Sequence, residues 1–109
     1  MNSSNIPGWF NTRSLEIVAA SGGGENIRLT AVDPEGDRLE VHRDFYRWTD
    51  VTYLSHDGKK VDDRLSGYDA GTLAYALWDA KVKEGAPVDP SAVKNLASIL
   101  SMQQDIFGY

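Results

Sequence analysis

The sequence predicts a single α+β domain: an antiparallel meander of four to five strands over about residues 14–65, then an antiparallel helical hairpin at about 69–84 and 90–107 packed on one sheet face. Two turn signatures, Asp33-Pro34-Glu35-Gly36 and Ser55-His56-Asp57-Gly58, each set between strand-like runs, predict the meander. Beyond Asp69 the apolar period changes from two to about 3.6, which predicts helices. The length, 109 residues, suits one domain.

Residues 1–13 read as an arm or loop, with Pro7-Gly8 as a breaker and Trp9-Phe10 as an anchor to the core. Leu15, Ile17 and Ala19 then alternate with Glu16, Val18 and Ala20 in a first strand, which ends at Ser21-Gly22-Gly23-Gly24-Glu25-Asn26. The three glycines lead into another strand, not into a helix as in nucleotide-binding loops, so they read as a flexible connection. Ile27, Leu29 and Ala31 resume the alternation. In Asp33-Pro34-Glu35-Gly36, Asp opens the turn, Pro presets φ and Gly takes the positive φ, as in a type I turn with a bulge. Leu39 and Val41 follow on one face and Arg38, Glu40 and His42 on the other, completing a hairpin over about 27–43.

Residues 44–50 break the alternation and read as a bulged strand or a turn of helix. Phe45 and Trp48 have opposite parity, so a regular strand leaves one of them near the surface, and Tyr46 shares the parity of Trp48. Val51–Leu54 is β-branched and aromatic, whereas Lys59–Asp62 is charged, the profile of a guarded edge strand. Asp69 is the expected cap of a helix reaching Lys83 or Glu84, with Leu73, Ala74, Leu77 and Trp78 on one face. Lys81 and Lys83 suit its C-terminal dipole, Gly85 terminates it and Pro87 blocks continuation. Asp89-Pro90 opens the second helix, whose apolar stripe is Val93, Leu96, Ala97, Leu100 and Phe107, widened by Ile99 and Ile106.

Composition narrows the function classes. No cysteine is present, which removes disulfides, thiolate metal sites and a cysteine nucleophile. No apolar run reaches the ~18 residues of a membrane helix, and residues 1–8 lack the basic and apolar regions of a secretory signal, so the expected location is cytoplasmic. Net charge is −5. Between Asp33 and Asp69, ten acids against six bases leave −4; the remaining six acids and five bases leave −1. Such a field disfavours direct nucleic acid binding and attracts basic partners.

No residue set spells out a reaction. His42 and His56 are the only histidines; His56 beside Asp57 reads as hairpin-tip turn chemistry, and no Gly-x-Ser-x-Gly elbow is present. Asp57, Asp62 and Asp63 surround one hairpin, but their spacing is not that of a calcium loop and Lys59 and Lys60 lie among them. Paired carboxylates are plentiful, with nothing to select a catalytic pair. No catalytic residue, metal or cofactor is therefore assigned. The constellation above background is Arg43, Phe45, Tyr46, Arg47, Trp48 and Tyr53, rich in the residue types that dominate binding hot spots.

The expected function is a non-enzymatic protein-interaction module, a monomer or homodimer. Its particular version is an inhibitor or immunity-type protein, borne by phage or another mobile element, that covers a basic surface of a nucleic-acid-handling partner. Its predicted contact residues are Arg43, Tyr46, Arg47, Trp48, Asp57, Asp62 and Asp63. Two alternatives are a small enzyme or ligand-binding domain with a pocket between sheet and helices, and a phage-particle component that pairs through an exposed Val51–Leu54 strand.

Overall fold

The computed structural model describes residues 6–23, 26–44 and 49–107, with the side chains of the last helix described as far as Gln103. The chain forms β1 (Glu16–Gly23), β2 (Asn26–Val32), β3 (Arg38–Arg43), β4 (Thr49–Leu54), β5 (Lys60–Arg64), α1 (Gly67–Asp79), β6 (Lys81–Val82) and α2 (Pro90–Phe107). The sheet order is β5-β4-β3-β2-β1-β6. The first five strands are an antiparallel meander, and β6 adds in parallel beside β1. The two helices pack together on one sheet face, the α+β arrangement expected from the pattern.

Strict alternation builds this layer. Ile17, Ile27, Leu29, Ala31, Leu39, Val41, Val51 and Tyr53 all point toward the helices and are buried. They meet Ala70, Leu73, Ala74 and Leu77 of α1 and Ala92, Leu96 and Leu100 of α2. The expected inward Ala19 gives way to Ala20, because the β1–β2 register shifts between Ile17 and Ala19. From the N-terminal loop, Phe10 inserts edge-on against Tyr53 with ring centroids 5.2 Å apart, and Trp9 covers Phe10 at 6.4 Å. The other sheet face is open and polar. Arg28, His42, Asp50 and Arg64 form one cross-strand row there, and Thr30, Glu40, Thr52 and Asp62 form the next.

Both hairpin turns adopt the expected geometry. Gly36 N–H donates to Asp33 C=O at 3.1 Å and Gly58 N–H to Ser55 C=O at 3.1 Å. Both glycines sit at positive φ, 91° and 101°, a region that L side chains enter at a cost.

The expected helix at 69–84 is displaced at both ends. Ser66, not Asp69, is the cap: its Oγ accepts from Asp69 N–H at 3.2 Å, which puts Asp69 one turn inside. At the other end α1 stops at Asp79, because the backbone then pairs with the edge of β1. Lys81 N–H donates to Leu15 C=O at 3.3 Å and Lys83 N–H to Ile17 C=O at 3.0 Å. Lys81 and Lys83 therefore guard a strand edge instead of a helix terminus, and Gly85 turns the chain instead of capping a helix. Val51–Leu54, proposed above as an exposed pairing strand, is interior: β4 lies between β3 and β5. Trp78, expected inward with Leu77, is 61% exposed. At about 100° per residue it sits about 90° from the centre of the Ala70–Leu73–Ala74–Leu77 stripe. At the start of α2 the expectation holds, with Asp89 Oδ1 accepting from Ser91 N–H at 2.9 Å ahead of Pro90.

Truncating a side chain where α2 meets the sheet should be severe. Leu96→Ala is expected to lower unfolding free energy by about 2–5 kcal/mol, and Gly36→Ala by about 1 kcal/mol or more, both measured by urea denaturation.

Candidate functional site

Three loops meet at one end of the sheet: the N-terminal loop (residues 6–15), the β2–β3 turn and the β4–β5 turn. Between them lies a recess of about 640 Å³ lined by Trp9, Arg13, Glu35, Asp37, His56 and Lys59, among others. Two buried carboxylates organise it. Asp33 Oδ1 accepts from Glu35 N–H at 3.0 Å and Asp37 N–H at 2.9 Å, while its Oδ2 accepts from Asn11 N–H at 3.2 Å. Asp37, 2% exposed, accepts through Oδ1 from His56 N–H at 2.9 Å and meets His56 Nδ1 at 2.8 Å. One aspartate thus ties the N-terminal loop to the first turn, and the other ties the first turn to the second.

The electrostatics follow from those bonds. The His56 backbone N–H, and next its imidazole, hold the Asp37 carboxyl below the ordinary 3.8. Reciprocally, the hydrogen bond to Asp37 and then its charge raise His56 above 6.5. Asp57 is lowered chiefly by the hydroxyl of Ser55, which donates to it. Ser55 Oγ also accepts from Lys59 N–H at 2.7 Å, so this hydroxyl is committed to the turn and is not a poised nucleophile. A tied imidazole presenting its other nitrogen outward can bind or exchange a proton. Asp33, Glu35 and Asp37 bring carboxylate oxygens within 4.8 Å of one another, and the Oδ1 atoms of Asp33 and Asp37 accept the bonds that hold the loops. We read the cluster as a staple of turns. The signal that could have found it is two Asp-rich turns at one end of a meander; expected to be local turn chemistry with Asp57, His56 instead bonds across to Asp37.

The predicted contact residues that the structure describes, Arg43, Asp57, Asp62 and Asp63, do not converge. Arg43 lies on the helix-side face at the end of β3, where its Nη1 donates to Thr49 Oγ1 at 3.3 Å; Thr49 in turn bonds Gln103 of α2 at 3.3 Å. It ties sheet to helix. Tyr46, Arg47 and Trp48, with Phe45, lie outside the described residues. Asp57 is at the hairpin tip. Asp62 faces the open side, accepting from Thr52 Oγ1 at 2.7 Å, while Asp63, opposite Val51, shares the helix side. Adjacent strand residues point to opposite faces, so Asp62 and Asp63 lie on different sides of the edge strand β5. Tyr53, a member of the same constellation, is fully buried; burial first, then the charges of Asp69 and Asp63, push its phenol upward. His42, expected fully outward, is half-buried with Nε2 at 3.4 Å from Asp44.

What the sequence reading missed is the outward face of α1. Tyr68, Tyr75 and Trp78 are 47%, 78% and 61% exposed. At about 100° per residue they fall within an arc of about 80°. Beside Trp78 an apolar groove of about 380 Å³ runs over Leu77, Val82, Val93 and Ala97, with Lys94 the charged residue in its lining. α1 itself contains Asp69 and Asp79 and no basic residue. Among the described residues no helix is long and apolar enough to cross a membrane. Comparison of the chain with protein-family models, curated proteins and solved structures returns no match.

The depressed carboxyls set the acid limb of stability. Their contribution is complete above the unfolded value of 3.8 and disappears as pH falls through their lower folded values. The urea midpoint should therefore fall between about pH 5 and 2, and fall less in Asp37→Asn, which is already weaker at neutral pH.

Proposed function

We propose that this chain is a non-enzymatic protein-interaction module that docks a basic partner surface against the aromatic face of α1. The observation that carries the reading is three exposed aromatics on a helix whose exposed charged residue is Asp79 and which holds no base, in a protein of net charge −5. Tyrosine and tryptophan supply large contact area at low entropic cost, and their ring faces attract arginine and lysine. The overall negative field attracts a cationic partner.

Other features agree. The Ser55 hydroxyl beside His56 is engaged by Asp57 and the Lys59 amide, which supports a non-enzymatic reading. The open sheet face mixes both signs, with Arg28, Arg38, Lys60 and Arg64 against Glu40, Asp50 and Asp62, and offers no uniform patch. Both sheet edges are defended, β5 by charge and β6 by its shortness, which disfavours assembly through strand pairing. Within the reading, an inhibitor that covers the cationic groove of a nucleic-acid-handling protein is the version that charge complementarity favours.

A second reading rests on the recess beside His56, whose size and mixed polarity suit a small ligand. A thermal-shift panel of nucleotides, metal ions and metabolites separates the two, since a protein-docking module is unmoved by all of them.

The direct test compares pull-downs from the native host using the wild-type chain and the double variant Tyr75→Ala/Trp78→Ala. Both positions are exposed, so the variant should keep its melting temperature. It should lose the co-purifying partner, with affinity at least ~tenfold weaker, and wild-type binding should weaken as salt rises. Undiminished, salt-independent capture by the variant would sink the proposal.

A further inference from the structure

The recess end of the sheet has a charge imbalance that one proton halves. Facing His56 are Asp33, Glu35 and Asp37 from the β2–β3 turn, Asp57 and Lys59 from its own turn, and Arg13 from the N-terminal loop. Four carboxylates thus stand against two permanent cations among the described residues. Two of the four, Asp33 and Asp37, are 4% and 2% exposed and belong to a cluster whose carboxylate oxygens lie within 4.8 Å of one another. Neighbouring buried anions repel strongly unless a counter-charge is near. The imidazole bonded to Asp37 at 2.8 Å is the closest group that can supply one.

We propose that the proton on His56 is a conformational switch: bound, it holds the two turns and the N-terminal loop together around the recess, and released, it loosens all three. The linkage is structural. Asn11 hangs on Asp33 through its amide, Asp33 orders the turn that presents Asp37, and Asp37 holds the backbone and ring of His56. When the ring becomes neutral, Asp37 keeps a neutral donor and loses the positive charge. Repulsion from Asp33 then falls on the bonds that seat the first turn and the N-terminal loop. Phe10, which plugs the core against Tyr53, lies just before Asn11, so the loosening reaches the cover of the sheet.

The direction follows from the raised imidazole. A group whose folded value exceeds its unfolded value stabilises below the unfolded value and loses that contribution as pH rises through the folded one. The window therefore lies above 6.5, on the alkaline side.

The test is a two-dimensional NMR titration of the full chain from about pH 5.5 to 9, following the His56 ring and the backbone amides. The amides of Asn11, Glu35, Asp37 and Lys59 should shift with the ring's own midpoint, above 6.5. Exchange protection at Asn11 and Asp37, corrected for intrinsic rates, should fall at least ~threefold across it. Asp37→Asn should lower the midpoint, and His56→Gln, a neutral donor at all pH, should abolish the dependence while remaining folded. A ring midpoint at or below 6.5, or turn-end protection that ignores the ring's titration in the wild-type protein, overturns the switch.

Discussion

The fold depends on burying one face of a five-stranded meander, and the period of two along each strand decides which side chains do it. Inward residues such as Ile27, Leu39 and Val51 leave the opposite face to Arg28, Glu40 and Thr52. A sheet with one apolar face is stable only when that face is covered. The cover is two helices, and their placement accounts for the rest of the architecture. Because β5 ends at one edge of the sheet, α1 must carry the chain back across it. Its 13 residues extend about 20 Å at 1.5 Å per residue, close to the width of the strands it crosses. It delivers the backbone to the bare edge of β1, where Lys81–Val82 pair in parallel and the loop beyond continues the cover: Ala20 N–H donates to Pro87 C=O and Asp89 N–H to Ala20 C=O. The helix ends where a strand edge offers better backbone partners than another helical turn.

The same topology gathers the polar interior. In a meander, alternate connections fall at the same end, so the β2–β3 and β4–β5 turns are neighbours although 22 residues separate Asp33 and Ser55 along the chain. Buried carboxylates are tolerated there because each accepts hydrogen bonds: three backbone amides for Asp33, an amide and a ring nitrogen for Asp37. The local Asp-turn chemistry is thus extended into a tertiary connection. At the far end of the sheet, Arg43, Thr49 and Gln103 make the corresponding tie between β3, β4 and α2.

Set against these two hydrogen-bonded polar clusters, the outward face of α1 has a different character. Tyr75 and Trp78 remain exposed on a helix whose other face is filled by α2 and the sheet. Exposed aromatics of this size on a short helix carry little stability, and they fit a surface that completes its burial with another molecule. The distribution of charge fits the same view. The acidic excess lies mainly between Asp33 and Asp69, and in the proposed function it acts by long-range attraction while the aromatics supply the contact chemistry.

Local pattern alone determined the α+β class, the two hairpin turns with their positive-φ glycines, the identity of most inward strand residues and the Asp89-Pro90 start of α2. Each of these is decided within a few residues, by sterics or by period. Even the opposite facing of Asp62 and Asp63 was legible, since neighbours on a strand always diverge. Tertiary structure decided what depends on partners distant in sequence. The end of α1 at Asp79 needs the edge of β1; the pairing of His56 with Asp37 needs two turns to share one end of the sheet. Those outcomes are competitions between a local preference and a remote hydrogen bond or surface, and a single chain read in one dimension holds only one of the competitors.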